Sequence, residues 1–126
     1  IYNCRTSTIP SIYGEKLVIR ILNPNENINL ECLGFKDETY KLKKVIYKNK
    51  GIFLISGPTG SGKSTTLKGI INCMNKKERN IITIEDPVEY KLKDVTQVNL
   101  NRKAGLGFKE ALRSTLRQDP DVIMIG

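Results

Sequence analysis

The sequence contains no histidine among its 126 residues and only three cysteines. The lack of histidine excludes Ser-His-Asp triads, histidine metal sites and histidine general bases. Because Cys4, Cys32 and Cys73 are far apart and form no CxxC pair, neither a disulfide framework nor a zinc site is indicated, and a reducing cytoplasm is favoured. Any catalysis by this chain would therefore depend on carboxylates, Lys, Arg and backbone amides.

Long apolar runs are also missing. The longest candidates, Ile52 to Ile55 and Val122 to Ile125, have the length of strands, whereas a membrane-spanning helix needs roughly 18 apolar residues. The residues after Ile1 lack the basic-then-apolar layout of a signal peptide. We therefore expect part of a longer protein that is soluble, or at most peripheral to a membrane.

The net charge of +8 is compatible with nucleic acid, anionic lipid or a phosphate-rich ligand as a partner. Many lysines fall between residues 36 and 50, where Leu42, Val45 and Ile46 recur at helical spacing. A solvated helix face explains this concentration better than nucleic-acid contact, because no recognisable reading motif accompanies it. We expect no specific nucleic-acid binding by these lysines, which are Lys36, Lys41, Lys43, Lys44, Lys48 and Lys50.

Two regions can be distinguished along the chain. Residues 1–22 carry an apolar, strand-like run from Leu17 to Leu22, and the turn-rich segment Asn23-Pro24-Asn25-Glu26-Asn27 follows them. Beyond this segment, helix and strand patterns alternate, which predicts a mainly parallel sheet covered by helices. We expect residues 1–22 to end one domain, residues 23–35 to form a linker and residues 36–126 to belong to an α/β domain.

The individual elements of the second region follow from apolar periodicity. The clearest is the helix from about residue 63, where Leu67, Ile70, Ile71 and Met74 stand at i, i+3, i+4 and i+7. The full set comprises helices at about 37–48, 63–75 and 108–118, strands at 51–56, 81–84 and 121–125, and an extended segment around 95–100.

The strongest motif is Gly57-Pro58-Thr59-Gly60-Ser61-Gly62-Lys63-Ser64, which matches GxxxxGK[ST] at every defined position. Glycines allow the backbone N–H groups to converge on a phosphate, and the helix that follows presents its positive N-terminal end. Lys63 can reach the β- and γ-phosphates, and the Ser64 hydroxyl can coordinate Mg²⁺. A predicted strand before the loop and a predicted helix after it supply the expected context.

A group of carboxylates, Glu85-Asp86-Pro87-Val88-Glu89, follows the predicted strand Ile81 to Ile84 directly. Taken alone, this group would be explained well enough as a charged turn closed by Pro87. In an open parallel sheet, however, ligands gather at the carboxyl ends of the strands. Its position in a sheet with a phosphate-binding loop therefore favours acids that face the nucleotide.

Four stretches of the chain, in order, resemble motifs of the secretion and pilus-assembly ATPases. This family belongs to the type II secretion and type IV pilus systems and also serves DNA-uptake pseudopili. The similarity covers nearly the whole chain. The stretch from Arg5 to Arg20 resembles the end of the domain before the motor, and the stretch from Gly57 to Thr66 resembles the Walker A motif. The stretch from Thr83 to Tyr90 resembles the acidic "Asp box", and the stretch from Ala111 to Gly126 resembles the approach to Walker B.

The resemblance implies site roles that spacing alone does not assign. Lys63 and Glu85 would be catalytic, the nucleotide contacts would extend from Gly57 through Thr65, and Mg²⁺ would be held with the help of Ser64 and Glu85. Glu85 would also organise the attacking water, and Glu89 is a weaker candidate for this role.

Four arginines gain a catalytic role only through the resemblance, since each would otherwise be interpreted as a surface cation. Arg5 and Arg20 resemble the arginines that the preceding domain brings to the γ-phosphate, a role suited to a planar, permanently charged group. Arg113 and Arg117, one helical turn apart, resemble motor-domain arginines near the nucleotide and the subunit boundary.

The fold implied is a RecA-like P-loop NTPase sheet, with residues 36–126 as the N-terminal half of the motor domain, preceded by the end of a smaller α+β domain. In the family, Walker B continues into an acid that activates water, and a later strand lies between the P-loop strand and the Walker B strand. This chain stops at Gly126. We therefore expect residues 1–126 alone to be poorly soluble or only partly folded and to lack ATPase activity, with hydrolysis belonging to the longer protein.

The function implied is ATP hydrolysis by a cytoplasmic, hexameric motor at the inner face of the cell membrane, with ATP and Mg²⁺ as cofactors. The motor would power assembly of a type IV pilus or a type II secretion pseudopilus, including a DNA-uptake pseudopilus, and would meet an inner-membrane platform protein. A pilus retraction motor is disfavoured, because residues 5–20 resemble the assembly branch more closely. A scaffold that binds ATP without turnover stays open, whereas a nucleic-acid translocase is supported by charge alone.

Overall fold

The computed structural model describes residues 3–22, 28–35, 38–48, 50–74 and 76–126. The chain divides into two compact units, one of Ile1–Asn27 with Glu89–Lys91, the other of Ile28–Val88 with Leu92–Gly126. The turn-rich connector predicted at residues 23–27 lies outside the described residues. Within the described ranges, none of the helices combines the length and the apolar character needed to cross a membrane.

The first unit contains a β-hairpin. Its antiparallel strands, β1 (Asn3–Ser11) and β2 (Gly14–Leu22), are joined by a two-residue turn. The apolar run predicted the second strand, but not the first, because β1 has few apolar residues and contains Pro10. The register pairs Arg5 with Arg20, so these two side chains project from the same face of the hairpin, directly opposite each other.

Within the described residues, the second unit contains three β-strands and three α-helices: β3 (Ile81–Glu85), β4 (Thr96–Asn99), β5 (Val122–Ile125), α1 (Glu38–Ile46), α2 (Lys63–Cys73) and α3 (Phe108–Thr115). The strands form a parallel sheet in the order β4-β3-β5. All five residues of β3 are buried, as expected for the central strand of a parallel sheet. The prediction of a parallel sheet with helices is therefore confirmed.

Helices α2 and α3 cover opposite faces of this sheet. Ile71 of α2 packs with Ile81 of β3, and Ala111 of α3 packs with Ile84 of the same strand. Side chains alternate between the two faces along a strand, so residues 81 and 84 face in opposite directions. Burial on both sides explains why β3 carries isoleucine at positions 81, 82 and 84, on both faces of the strand.

A separate apolar cluster joins the start of the second unit to its helices. Leu30, in a 3-10 turn at Leu30–Leu33, is fully buried and packs with Ile46 of α1 and Ile70 of α2. The side chain of Asn72 donates a hydrogen bond of 3.0 Å to the carbonyl of Ile28. Residues 28–35 therefore pack within the second unit, although the sequence pattern assigns them to a linker.

The strand predicted at residues 51–56 is wrong. This segment runs without regular secondary structure, and its Ile52 and Leu54 side chains are 90% and 86% exposed. A strand forms only where a neighbouring strand supplies hydrogen-bonding partners, and among the described residues the sheet β4-β3-β5 includes no strand paired with this segment. Ile55 is the exception to this exposure, because it packs against the cluster around Leu30.

The helix predicted at residues 108–118 ends earlier than expected. After Thr115 the hydrogen bonds change to the i to i−3 pattern: the N–H of Arg117 donates to the carbonyl of Ser114, and the N–H of Gln118 donates to the carbonyl of Thr115. Such i to i−3 bonds satisfy carbonyls at a helix end. Asp119 then adopts a positive φ of 46°, which is incompatible with a continuing helix.

Replacing Leu30 with Ala should lower the free energy of opening of α2 by about 2–5 kcal/mol, the usual range for a fully buried leucine. Hydrogen–deuterium exchange of the full-length protein would measure this locally. Leu17→Ala serves as a matched control, because Leu17 is 55% exposed on the hairpin. Equal exchange of α2 in both variants would contradict the packing of Leu30 against α2.

Candidate functional site

The phosphate loop, defined as residues 57–64, curls directly into α2. Gly60 and Gly62 adopt φ angles of 80° and 87°, a region that residues with a side chain seldom enter. Within the curl, the N–H of Ser61 donates to the carbonyl of Pro58 over 3.3 Å. The two glycines therefore stand where the loop needs left-handed backbone, as the motif predicts.

Lys63, the first residue of α2, folds its side chain into this loop. Its Nζ donates hydrogen bonds to the carbonyl oxygens of Gly57 and Pro58, at 2.8 and 2.7 Å. The ammonium group thus lies against the inner side of the phosphate loop, where a phosphate oxygen could accept hydrogen bonds from both the ammonium group and the backbone N–H groups. This arrangement fits the predicted role of Lys63.

The start of α2 is suited to an anion. Its first turn carries no acidic residue, and Gly62 caps it without a side-chain hydrogen bond. The first N–H groups of a helix have no intrahelical partner and carry partial positive charge. Ser64 is exposed at this end, and Thr65 is half-buried. The Thr66 hydroxyl donates a hydrogen bond of 3.0 Å to the carbonyl oxygen of Gly62.

Glu85 ends β3 and is buried, with 5% of its surface exposed. Its Oε1 accepts a hydrogen bond of 2.7 Å from the Thr83 hydroxyl and one of 2.9 Å from the Gln97 amide. Within the described residues, no hydrogen bond or ion pair connects Glu85 to the phosphate loop. The carboxylate is therefore held by the sheet itself.

Glu85 nevertheless shares a face of β3 with a residue that packs against α2. Residues 81, 83 and 85 share one strand face, and Ile81 on that face packs with Ile71 of α2. The later part of α2 thus lies over the beginning of β3. We infer that the N-terminal end of α2 is directed toward the C-terminal end of β3, where ligands bind in open α/β sheets.

The other acids of this segment have different surroundings. Asp86 forms an ion pair of 2.9 Å with Arg102, and both side chains are solvent-accessible. Glu89 is half-buried and belongs to the same compact unit as the hairpin. Of the acids predicted to face the nucleotide, Glu85 is thus the one buried at the carboxyl end of the sheet.

Arg113 and Arg117 are both exposed, and only Arg113 lies within α3. Arg117 stands in the turn after the helix, where its Nη1 donates to the carbonyl of Arg113 at 3.1 Å and its Nη2 to the Ser114 hydroxyl at 3.4 Å. The structure thus brings the two arginines together, although the helix ends between them. Their exposure leaves both side chains accessible to a ligand or a neighbouring subunit.

Sequence patterns did not identify the groups that hold Glu85. The only signal for Thr83 is its polar side chain inside an otherwise apolar buried strand. Gln97 stands next to Thr83 in the register of β3 and β4, but no local pattern reveals that pairing. Knowledge of the strand register would have been needed to find both residues.

The residues at this edge suit a magnesium ion. Ser64 offers a hydroxyl and Glu85 a carboxylate, and Mg²⁺ prefers hard oxygen ligands. In the part of the chain that the structure describes, no three His, Cys, Asp or Glu side chains form a metal cluster. Nucleotide-bound Mg²⁺ does not require one, because one or two protein ligands suffice beside phosphates and water.

The sequence matches the family described as "Type II/IV secretion system protein" over residues 1–126. It is 47% identical over 124 residues to the type II secretion system protein E of Pectobacterium carotovorum subsp. carotovorum, covering 97% of this chain and 25% of that protein. It is 50% identical over 124 residues to the type IV pilus assembly ATPase PilB of Thermus thermophilus, covering 97% of this chain and 14% of that protein.

Among solved structures, the chain is similar to the pilus retraction motor PilT with bound ADP. The TM-score is 0.71 at 31% sequence identity, and the match covers 98% of this chain and 40% of that one. The expected P-loop NTPase fold, with its parallel sheet, is thereby confirmed. The chain spans 25% or less of the two relatives named above.

Proposed function

The chain belongs to the family of type II/IV secretion system proteins, and from this premise we propose that it is the nucleotide-binding part of an ATPase. The observation that carries the proposal is the phosphate loop, with the Lys63 ammonium folded against its inner side at the start of α2. In its full-length protein this site would bind ATP and hydrolyse the bond between the β- and γ-phosphates.

Hydrolysis at such a site works by positioning and charge stabilisation rather than by a covalent intermediate. Backbone N–H groups of the loop would hold the phosphates, and Lys63 would neutralise charge that develops on them. Ser64 and Glu85 would hold Mg²⁺, which supplies further charge neutralisation when it is bound. Glu85 would also orient the attacking water, a role that its burial beside hydrogen-bond donors supports.

The arginines would complete this charge stabilisation. Arg5 and Arg20 stand directly opposite each other in the hairpin register, an arrangement of like charges that is unfavourable without an anion between or near them. We propose that they act on the γ-phosphate, and that Arg113 and Arg117 act near the nucleotide at the subunit boundary. Residues 1–22 would then end the domain that precedes the motor.

The biological role proposed is assembly of a type IV pilus or a type II secretion pseudopilus, including a pseudopilus for DNA uptake. Relatives named as the type II secretion system protein E and the type IV pilus assembly ATPase support it. The working form would be a hexamer in the cytoplasm, bound to a platform protein at the inner face of the cell membrane. Comparing pilus or secretion defects after deletion of the gene would test this role.

A retraction motor is a second candidate, because the structural similarity to PilT favours it. The two hypotheses predict opposite changes in the number of pili on a strain that lacks the protein. Loss of an assembly motor should leave cells without pili, whereas loss of a retraction motor should leave them with an excess. Electron microscopy of the deletion strain would separate the two outcomes.

Glu85→Gln in the full-length protein should lower kcat by at least about a hundredfold, the lower range for loss of a group that assists proton transfer. ADP affinity should change by less than about threefold, because the phosphate loop is intact. Phosphate release and fluorescent-nucleotide titration measure the two quantities. Glu78→Gln, at an exposed glutamate, is the matched control, and normal turnover by Glu85→Gln would exclude the proposed role.

A further inference from the structure

The Glu85 carboxylate receives two donors on one oxygen. Thr83 and Gln97 both bind Oε1, at 2.7 and 2.9 Å. A carboxylate buried to this degree would be costly without such hydrogen bonds. Within the described residues, Oε2 receives no corresponding hydrogen bond, so its lone pairs stay available to a water molecule or a cation.

A third contact fixes which way the Gln97 amide points. The backbone N–H of Leu92 donates to Gln97 Oε1 over 2.6 Å. Because a backbone N–H can only donate, the carbonyl end of the amide must face Leu92 and its NH₂ end must face Glu85. The same side chain therefore connects the Glu85 carboxylate to the backbone of the loop between β3 and β4.

The two donors differ in what they connect. Thr83 stands two residues before Glu85 on the same face of β3, so its hydroxyl is a local partner. Gln97 comes from the neighbouring strand and reaches across to the carboxylate. Of these two donors, Gln97 is thus the one that links the carboxylate to the backbone of Leu92.

We propose that Gln97 is a positioning residue for Glu85. Its amide holds Oε1 in place and keeps the carboxylate in one orientation relative to the backbone of Leu92, with Oε2 presented to the reacting groups. The inference rests on the proposed ATPase function, because Glu85 takes part in chemistry only if the site hydrolyses ATP. Gln97 itself touches neither nucleotide nor water in this role.

The test replaces Gln97 with Met in the full-length protein, which preserves side-chain length but removes both hydrogen bonds. We expect kcat to fall by about ten- to a hundredfold, as for a misplaced catalytic group, while KM for ATP and Kd for ADP change by less than about threefold. Thr83→Val should lower kcat less, because the link to Leu92 persists. Gln118→Met, at an exposed glutamine, should match the wild type.

A second variant distinguishes loss of positioning from misfolding. Gln97→Asn keeps the amide but is one methylene too short to join Glu85 to Leu92, so the same selective loss of kcat is expected. A merely structural role would instead lower the thermal transition and weaken ADP binding without a selective effect on kcat. Either that pattern or unchanged kcat in both Gln97 variants would overturn the inference.

Failure of the underlying function gives a different pattern. If Lys63→Ala and Glu85→Gln lose turnover while the Gln97 variants keep it, the ATPase assignment stands and only the positioning role is wrong. If Glu85→Gln keeps normal turnover, Glu85 has no catalytic role and Gln97 cannot act through it. The four variants therefore separate the two hypotheses.

Discussion

Lys63→Ala in the full-length protein is expected to abolish measurable ATP turnover, lowering kcat by at least about a hundredfold. The substitution removes the cation that folds against the inner side of the phosphate loop, where it contacts the carbonyls of Gly57 and Pro58. ATP affinity should fall by about tenfold or more, since charge-assisted contacts to the phosphates are lost. Phosphate release and nucleotide titration measure these two effects.

The matched control is Lys109→Ala, which removes an exposed lysine from the first turn of α3. Both variants lose one positive charge, so a general effect of net charge on nucleotide binding would appear in both. Only Lys63→Ala should lose turnover. Unchanged ATPase activity of Lys63→Ala would rule out the phosphate loop as the site of hydrolysis.

Arg5→Ala and Arg20→Ala are each expected to lower kcat by about a thousandfold, the lower range for an arginine that stabilises a transferring phosphoryl group. ADP affinity should change by less than about threefold, because ADP lacks the γ-phosphate on which these residues would act. The register that places the two residues opposite each other predicts similar losses for both. Single-turnover phosphate release and ADP titration would measure the difference.

Lys16→Ala is the control for the hairpin. Lys16 is exposed on β2, four residues before Arg20, and therefore projects from the same strand face. Its loss should leave kcat close to the wild-type value. If the arginine variants weakened ATP and ADP binding equally and kept normal turnover, Arg5 and Arg20 would have a structural role instead.

Local signals in the sequence predicted the phosphate loop and the helix that follows it. The glycines at positions 60 and 62, the lysine at 63 and the apolar spacing after it all act within one loop and one helix, so their structure depends little on distant residues. The alternation of helix and strand patterns predicted the parallel sheet for the same reason. Helix α3 separates β4 from β5, and such a crossover favours parallel strands, whereas no helix separates β3 from β4 within the described residues.

Features that depend on pairing were predicted poorly. Residues 51–56 have a strand-like composition, but a strand also needs a neighbouring strand that pairs with it, which sequence periodicity does not report. The burial of Leu30 against two helices, and the approach of Gln97 to Glu85, likewise join residues that are far apart in sequence. Sequence patterns therefore did not show that residues 28–35 pack within the second unit, or that Gln97 holds the Glu85 carboxylate.

The measurement that tests the central claim most directly is single-turnover phosphate release by the full-length protein mixed with limiting ATP and Mg²⁺. We predict that nearly all bound ATP yields phosphate and ADP, and that Lys63→Ala and Glu85→Gln both prevent this under the same conditions. ATP that stays bound and intact in the wild-type protein would contradict hydrolysis and would instead indicate a scaffold that holds nucleotide without turnover.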